Sequence, residues 1–385
     1  MDFLKDNQCR LVDVLEKVRR DSIDFVRLEY VDMSGISRCK IIPSGKLVGR
    51  CEHGQDNALV NLVMDPTCRV VSGTGLAEET GYADGVFYPD LSTFRVVPWL
   101  PATALVLTEP CRRRGGEPVT SYPRHVARLM VSRLAAMGYQ LLSAHEHEFY
   151  VVHADTAQPL HWGNMQSSLA TYAGGGELLY ALSRNLATLG VDVETMEAEY
   201  SPGQVEITYR PAFGVRAADN AHLYRTAVKE ICQQRGYTAS FMTKPWPDAA
   251  GSSAHLNHSL WDADMRRNLM HDPEGEGGLS ELGRCWMAGL LAHAPALSLL
   301  MAPTPNCRSR FKPGNFAPTT QRHVGRRQPH LRAAAESRRR GGAGDVRGEP
   351  HGGQCQQPLP DLGSDRSGRD GRHLQEASPA RTSDR

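Results

Sequence analysis

Two periodicities alternate along the body of the chain. In the first third, FVRLEYVD (25–32) and SRCKIIP (37–43) alternate apolar and polar positions around Met33-Ser34-Gly35-Ile36, which predicts two strands joined as a hairpin. PDLSTFRVVPW (89–99) and ATALVLTEP (102–110) predict two more, and Pro98, Pro101 and Pro110 punctuate the end of this β-rich stretch. A short amphipathic helix is predicted over 10–20. From Pro123 the period lengthens. PRHVARLMVSRLAAMG (123–138) predicts a helix opened by proline and stopped by Gly138. Further helices are predicted over 176–189 and 215–236. Strands are predicted over 139–152, 191–199, 204–211, 238–245 and 252–261. WMAGLLAHAPALSLLMAP (286–303) is broken by His293 and Pro295; it predicts a buried helix followed by an apolar turn, not a membrane span. The expected class is α+β, with antiparallel strands carrying the polar chemistry and helices flanking them.

Composition then divides the chain. The 385 residues carry a net charge of +1, which argues against a dedicated nucleic-acid binder. Beyond Pro318, however, 67 residues hold 13 Arg, no Lys and 8 acids, and no Phe, Tyr, Trp, Ile or Met. So little apolar surface cannot offset the entropy of ordering, and the expectation is a disordered Arg/Gly-rich tail over 319–385. The remaining 318 residues are mildly acidic at −4. MDFLKDNQCR has no apolar leader core, and nine scattered cysteines include no CxxC pair; both point to reduced thiols and a cytoplasmic location.

Three strands carry the candidate chemistry. In His145-Glu146-His147-Glu148-Phe149 the period of two puts Glu146 and Glu148 on one face, where they repel unless a cation neutralises them. A solvated strand face is the alternative. In Glu199-Tyr200-Ser201-Pro202-Gly203-Gln204-Val205-Glu206 two more acids flank a Pro-Gly turn that could aim both at one point, although acids beside turns are more often solvated. In GSSAHLNHSL (251–260) His255, Asn257 and Ser259 alternate, and His255 is either a ligand or a hydrogen-bonded strand histidine. Four carboxylates and one imidazole suit Mg²⁺ or Mn²⁺ better than structural zinc.

The order of HEHEF, EYSPGQVEI, FMTKP with GSSAHLNHSL, and NCRSRFKPGNFAP resembles the glutamine synthetase family over about residues 20–318. The resemblance implies a small β-grasp-like N-terminal domain at 20–110, an incomplete synthetase-type catalytic domain at 111–318, and the tail at 319–385. It implies ATP-dependent ligation of ammonia or an amine to the glutamate γ-carboxylate through γ-glutamyl phosphate. By motif position it makes Glu148, Glu199 and Glu206 ligands of one metal, and Glu146 and His255 ligands of a second. Gly251, Arg310 and Glu148 would meet glutamate, with Arg310 also catalytic, and Ser259 would meet ATP. Stacked rings of subunits are implied as well.

Four departures from the family pattern stand out. Asn257 replaces the second His of an HxH pair. Phe316 takes the place of a flap glutamate that helps deprotonate ammonium. Asp84 is the single remnant of an aspartate-rich N-terminal segment. After Pro318 the segments that supply phosphate-binding arginines and a further metal ligand have no counterpart, as a shifted reading frame would produce. This chain is therefore expected to lack turnover. DNAHLYRTAVKEI, GSSAHLNHSLWD and APALSLLMAP are most similar to the lengsin branch of the family. That likeness implies a second reading, a non-catalytic assembly protein that interacts with intermediate-filament proteins.

Overall fold

A computed structural model describes residues 2–160 and 169–311. Phe316 and the 319–385 segment lie outside the described residues. The chain is α+β. It opens with α1 (Asp2–Arg20), which begins well before the amphipathic stretch that announces it. The predicted hairpin forms as β1 (Phe25–Val31) and β2 (Ser37–Pro43). Then follow α2 (Leu47–His53), β3 (Gln55–Ala58), β4 (Asp84–Pro89), β5 (Arg95–Val96) and β6 (Thr103–Cys111). These six strands form one sheet in the order β2-β1-β6-β4-β3, with β5 also on β6. β1 and β6 run parallel. Within the expected strand at 89–99 only Pro89, at the end of β4, and the two residues of β5 are in strands. Asp90 accepts a hydrogen bond from the Ser92 N–H and turns the chain into a 3₁₀ turn there.

The second layer begins with α3 (Pro123–Ala136) and the 14-residue β7 (Gln140–His153). It continues through α4 (Leu169–Leu189), β8 (Val193–Ala198), β9 (Gln204–Tyr209), β10 (Ala212–Phe213) and α5 (Arg216–Gln234). It closes with β11 (Tyr237–Ser240), β12 (Ala254–Trp261), α6 (Glu281–Met301) and α7 (Pro305–Arg310). β11 is half the length expected for 238–245, since the chain turns at Phe241 towards Pro245. β7 is the spine of this sheet: β9, β10, β11 and β12 all pair with it, antiparallel.

The back of this sheet is the main core. Phe149, Val151, Val205 and Ile207 pack against Leu182 and Leu186 of α4 and Val228 and Ile231 of α5. Packing of one sheet face against two helices leaves the other face for polar groups. The helix over the apolar 286–303 run is present, and it passes through Pro295. It is not buried as expected. Only Gly283 and Ala294 are covered, and Leu299 and Leu300 are 63% and 81% exposed, because nothing among the described residues packs on its outer faces. Trp286 Nε1 on this helix donates to His258 Nε2 of β12 at 2.8 Å.

The two layers are tied by buried ion pairs. Arg124, at the start of α3, grips Asp219 of α5 at 2.7 and 2.8 Å, Glu109 of β6 at 2.6 Å and Asp90 at 2.9 Å. Arg27 of β1 bridges to Glu230 of α5 at 2.7 Å, and Trp99 donates to the same carboxylate at 2.7 Å. Such pairs contribute little net stability as a unit, yet removing one partner strands the other charges in a dry setting. Arg124→Ala is therefore expected to lower unfolding stability by about 3–5 kcal/mol. A denaturant titration reads this as a shifted midpoint; a loss below about 1 kcal/mol would show the network to be solvated.

Candidate functional site

The open face of the second sheet carries a row of like charges. On β7, Glu146 and Glu148 face the same side. Glu148 lies directly across from Glu206 of β9, and Glu206 directly across from Glu197 of β8. On the other flank, Glu146 lies across from His255 of β12, with Oε2 3.9 Å from Nδ1. Directly opposed residues share a face. Four carboxylates and an imidazole therefore line up across four strands. Glu199 sits just beyond the end of β8, its N–H donating to the Gln204 carbonyl at 2.9 Å.

The Pro202-Gly203 turn brings this acid in. Gly203 has φ +75°, and a Cβ there would lie 2.7 Å from the Val151 carbonyl oxygen, so only glycine lets the turn press against β7. The turn delivers Gln204, whose Nε2 donates to Glu148 Oε2 at 3.1 Å and to the Gly251 carbonyl at 3.2 Å. Glu148 also accepts from the N–H and the hydroxyl of Ser253. Tyr150 donates to the Ala250 carbonyl at 2.6 Å, and Ser201 Oγ accepts from the Ala250 N–H at 2.7 Å, which pins the 250–253 loop to the turn.

Arg310, on α7, folds over Gly251. Its Cγ lies 2.7 Å from where a Cβ on residue 251 would sit, so any larger residue would expel the arginine. Its buried Nε has no hydrogen-bond partner, and the Glu148 carboxylate acts on its charge. Thr304 caps this short helix at the Cys307 N–H. Ser259 lies on the same face of β12 as His255, four residues along, or about 13 Å. It is 1% exposed and its Oγ accepts from Trp261 Nε1 at 2.9 Å.

The residues singled out in the sequence are thus gathered on one face, with Ser259 at its far end. Asp84 is exposed at the start of β4 in the other sheet. Sequence reasoning passed over Glu197, Gln204 and Ser253. Glu197 stands two residues before Glu199, so the strand period offered a signal. Gln204 lies inside the quoted EYSPGQVEI motif.

Electrostatics follow from the row. Burial pushes the Glu206 carboxyl up to about 8, reinforced by Glu148, Glu146, Glu199 and Glu197. Among the described residues, no three His, Cys, Asp or Glu side chains already converge closely enough to hold a metal ion. Ser253 and Gln204 hold the Glu148 carboxylate.

The face is thus a carboxylate-rich antiparallel sheet backed by helices, with an arginine folded over a glycine at its rim. The family profile described as "Glutamine synthetase, catalytic domain" matches residues 120–342, and the chain belongs to the glutamine synthetase family. The match runs past Pro318, where the motifs legible by eye stop. Lengsin from Homo sapiens is 33% identical over 304 residues, covering 78% of this chain and 58% of that protein. The chain thus spans little more than half the length of that relative. Glutamate–isopropylamine ligase from a Pseudomonas species is 28% identical, covering 81% of this chain and 70% of the enzyme. A crystal structure described as a novel glutamine synthase homolog superposes with a TM-score of 0.69 at 30% identity, covering 76% of this chain and 68% of the other. Among the described residues no helix is long and apolar enough to cross a membrane.

The raised Glu206 pKa has a definite sign in stability. The folded state holds this proton more tightly than the unfolded state, whose carboxyl titrates near 4.5. Its contribution is fully present below about 4.5 and is lost as pH rises through about 8. In the metal-free protein, Glu206→Gln should match wild type near pH 4.5 and become the more stable of the two by pH 8. Denaturant midpoints in EDTA across that range read the difference; parallel profiles would mean that Glu206 titrates normally.

Proposed function

We propose that this chain carries the metal- and glutamate-binding part of an ATP-dependent glutamate–amine ligase, and that in this form it has no turnover. The observation that carries the reading is the row of acids on one sheet face with Glu206 held protonated well above the ordinary carboxylate range. The donor set fits a hard divalent cation: carboxylate oxygens with one imidazole. Glu148, Glu199 and Glu206 would hold one Mg²⁺ or Mn²⁺, and Glu146 with His255 a second. Glu197, directly across from Glu206, adds charge to the same face. When bound, such ions neutralise charge on a transferring phosphoryl group.

The chain's own residues do the rest. Arg310 offers a planar fork for the carboxylate of glutamate, and Gly251 leaves room for it. Ser253 and Gln204 orient Glu148 until a cation competes for it. Ser259 lies far enough along β12 to meet a nucleotide entering from the opposite end. The fold division of this reading is a β-grasp-like unit over 20–110 and the ligase-type unit over 111–318. Phe316 and the 319–385 segment belong to the reading only through the family motifs: the first removes a flap carboxylate, and the second lacks the phosphate-binding arginines. Ammonia is then a poorer nucleophile than a larger amine.

The lengsin match at 33% identity favours a second reading, a non-catalytic cytoplasmic assembly protein that forms subunit rings and binds intermediate-filament proteins. The two readings share the metal site and differ in chemistry. Mn²⁺ is expected to raise the melting temperature of the wild type and to do so much less in Glu206→Ala. Equal shifts in the two proteins would remove Glu206 from the ligand set.

Turnover is tested separately, by coupled phosphate release with glutamate, ATP, Mg²⁺, ammonium and a panel of amines. Loss of one electrostatic contact costs about 10²–10³ in rate, and several are missing here. No phosphate release above background is expected. A kcat in the ordinary range of about 1–10³ s⁻¹ would overturn the loss of catalysis and favour the ligase over the assembly reading.

A further inference from the structure

The strand that carries Glu146 and Glu148 has a second face, and its chemistry is unused by the acidic row. His145 and His147 alternate with the two glutamates and so turn towards the helices. Their rings stack with centroids 5.3 Å apart. His147 stacks in turn on Tyr224 of α5 at 5.5 Å, and Tyr209 of β9 lies 5.2 Å beyond. His147 is 4% exposed and Tyr224 is wholly buried. Four buried atoms here have no hydrogen-bond partner: His145 Nδ1, His147 Nε2 and the hydroxyls of Tyr209 and Tyr224. Buried polar atoms are nearly always paired, so a cluster of orphans points to something that pairs them.

The charge beside them is positive. Arg225 follows Tyr224 on α5, and its field reaches both histidines and both tyrosines. Lys229 stands one turn later. The guanidinium and the ammonium share a single ring, lying 5.0 and 5.8 Å from the centroid of Phe241. Both side chains reach solvent. Among the described residues neither has a carboxylate at ion-pair distance, and the charge that acts on Lys229 is that of Arg225. Two like charges at this helical spacing repel, and nothing beside them offsets the repulsion.

The donors agree in kind. Each imidazole carries at least one N–H whatever its charge. A neutral imidazole donates one hydrogen bond and a tyrosine hydroxyl another. Glu206 acts on Tyr224 only from the other face of the sheet. A metal ion or an ammonium would be repelled by Arg225 and Lys229. An acceptor-only ligand with negative charge satisfies the orphaned donors and both cations together.

We propose that the helix side of β7 is a binding site for a small oxyanion, a phosphate or a carboxylate. Arg225 and Lys229 grip it at the mouth, and His145, His147 and Tyr224 bond to it inside. It lies back to back with the acidic row, one strand's thickness away, and it does not depend on the ligase reading.

The test uses the full 385-residue chain in EDTA, so that no metal can carry phosphate to the acidic face. Sodium phosphate and sodium acetate are titrated in turn, against sodium chloride at equal ionic strength. Calorimetry gives affinity, and the imidazole ¹⁵N signals of His145 and His147 report the place. Saturable binding that moves the His147 signal is expected. Phosphate alone would assign a tetrahedral oxyanion and acetate alone a carboxylate. Arg225→Ala should weaken binding at least tenfold, and Lys229→Gln, at the exposed mouth, at least threefold. Glu206→Ala should bind no more weakly than wild type, which separates this site from the metal site. The same response to chloride, unchanged affinity in Arg225→Ala and Lys229→Gln, or no saturable binding at all would each overturn the proposal. The last would leave the orphaned atoms to water.

Discussion

Like charge on one face of a single strand is the constraint around which the second layer is built. β7 alternates strictly, so the residues that seal the core and the residues that repel one another share one backbone. Phe149 and Val151 are held by α4 and α5, and this fixes Glu146 and Glu148 outward whatever their mutual cost. β9, β8 and β12 then add Glu206, Glu197 and His255 to the same face by register alone. The core anchors the strand, and that anchoring makes a concentration of acids possible at all.

The loops around the row fix the Glu148 carboxylate from two sides. Gln204 reaches Glu148 and the 251–252 backbone and hydroxyl together, and Ser253 engages the other carboxylate oxygen. Gly203 and Gly251 each stand where a Cβ would collide, one with β7 and the other with Arg310. These are close approaches at the rim of the acidic face, and they explain why small residues recur beside the charged ones.

The position of that face relative to the rest of the molecule depends on ions of a different kind. Arg27 reaches from the first layer to α5, and Arg124 of α3 joins Asp219 of α5 to Asp90 and Glu109 of the first layer, so α5 supports β7 from behind and is itself moored to the other sheet. α6 meets the sheet through Trp286, which donates to His258 of β12. Its exposed leucines are those of a helix whose composition demands cover that the described residues do not supply.

The hairpin at 25–43, the helix from Pro123 and the strand at 140–153 were legible in the sequence, because alternation and turn chemistry are local properties. So was the shared face of Glu146 and Glu148, and so were the motifs that mark the family. Other features were not. Residues 89–99 alternate like a strand, yet Asp90 turns them back through its own side chain. The 286–303 run has the composition of a buried helix and forms one, but burial requires a partner and composition cannot supply it. The opposition of Glu148 to Glu206, the recruitment of Glu197, the hub at Gln204 and the unpaired histidines behind β7 arise from strand register and helix packing between residues tens of positions apart. The sequence by itself determined where the longest strands and helices run, which residues are charged and what family they belong to. The tertiary structure alone decided which charges oppose one another, because repulsion and desolvation depend on distance through space and not on distance along the chain.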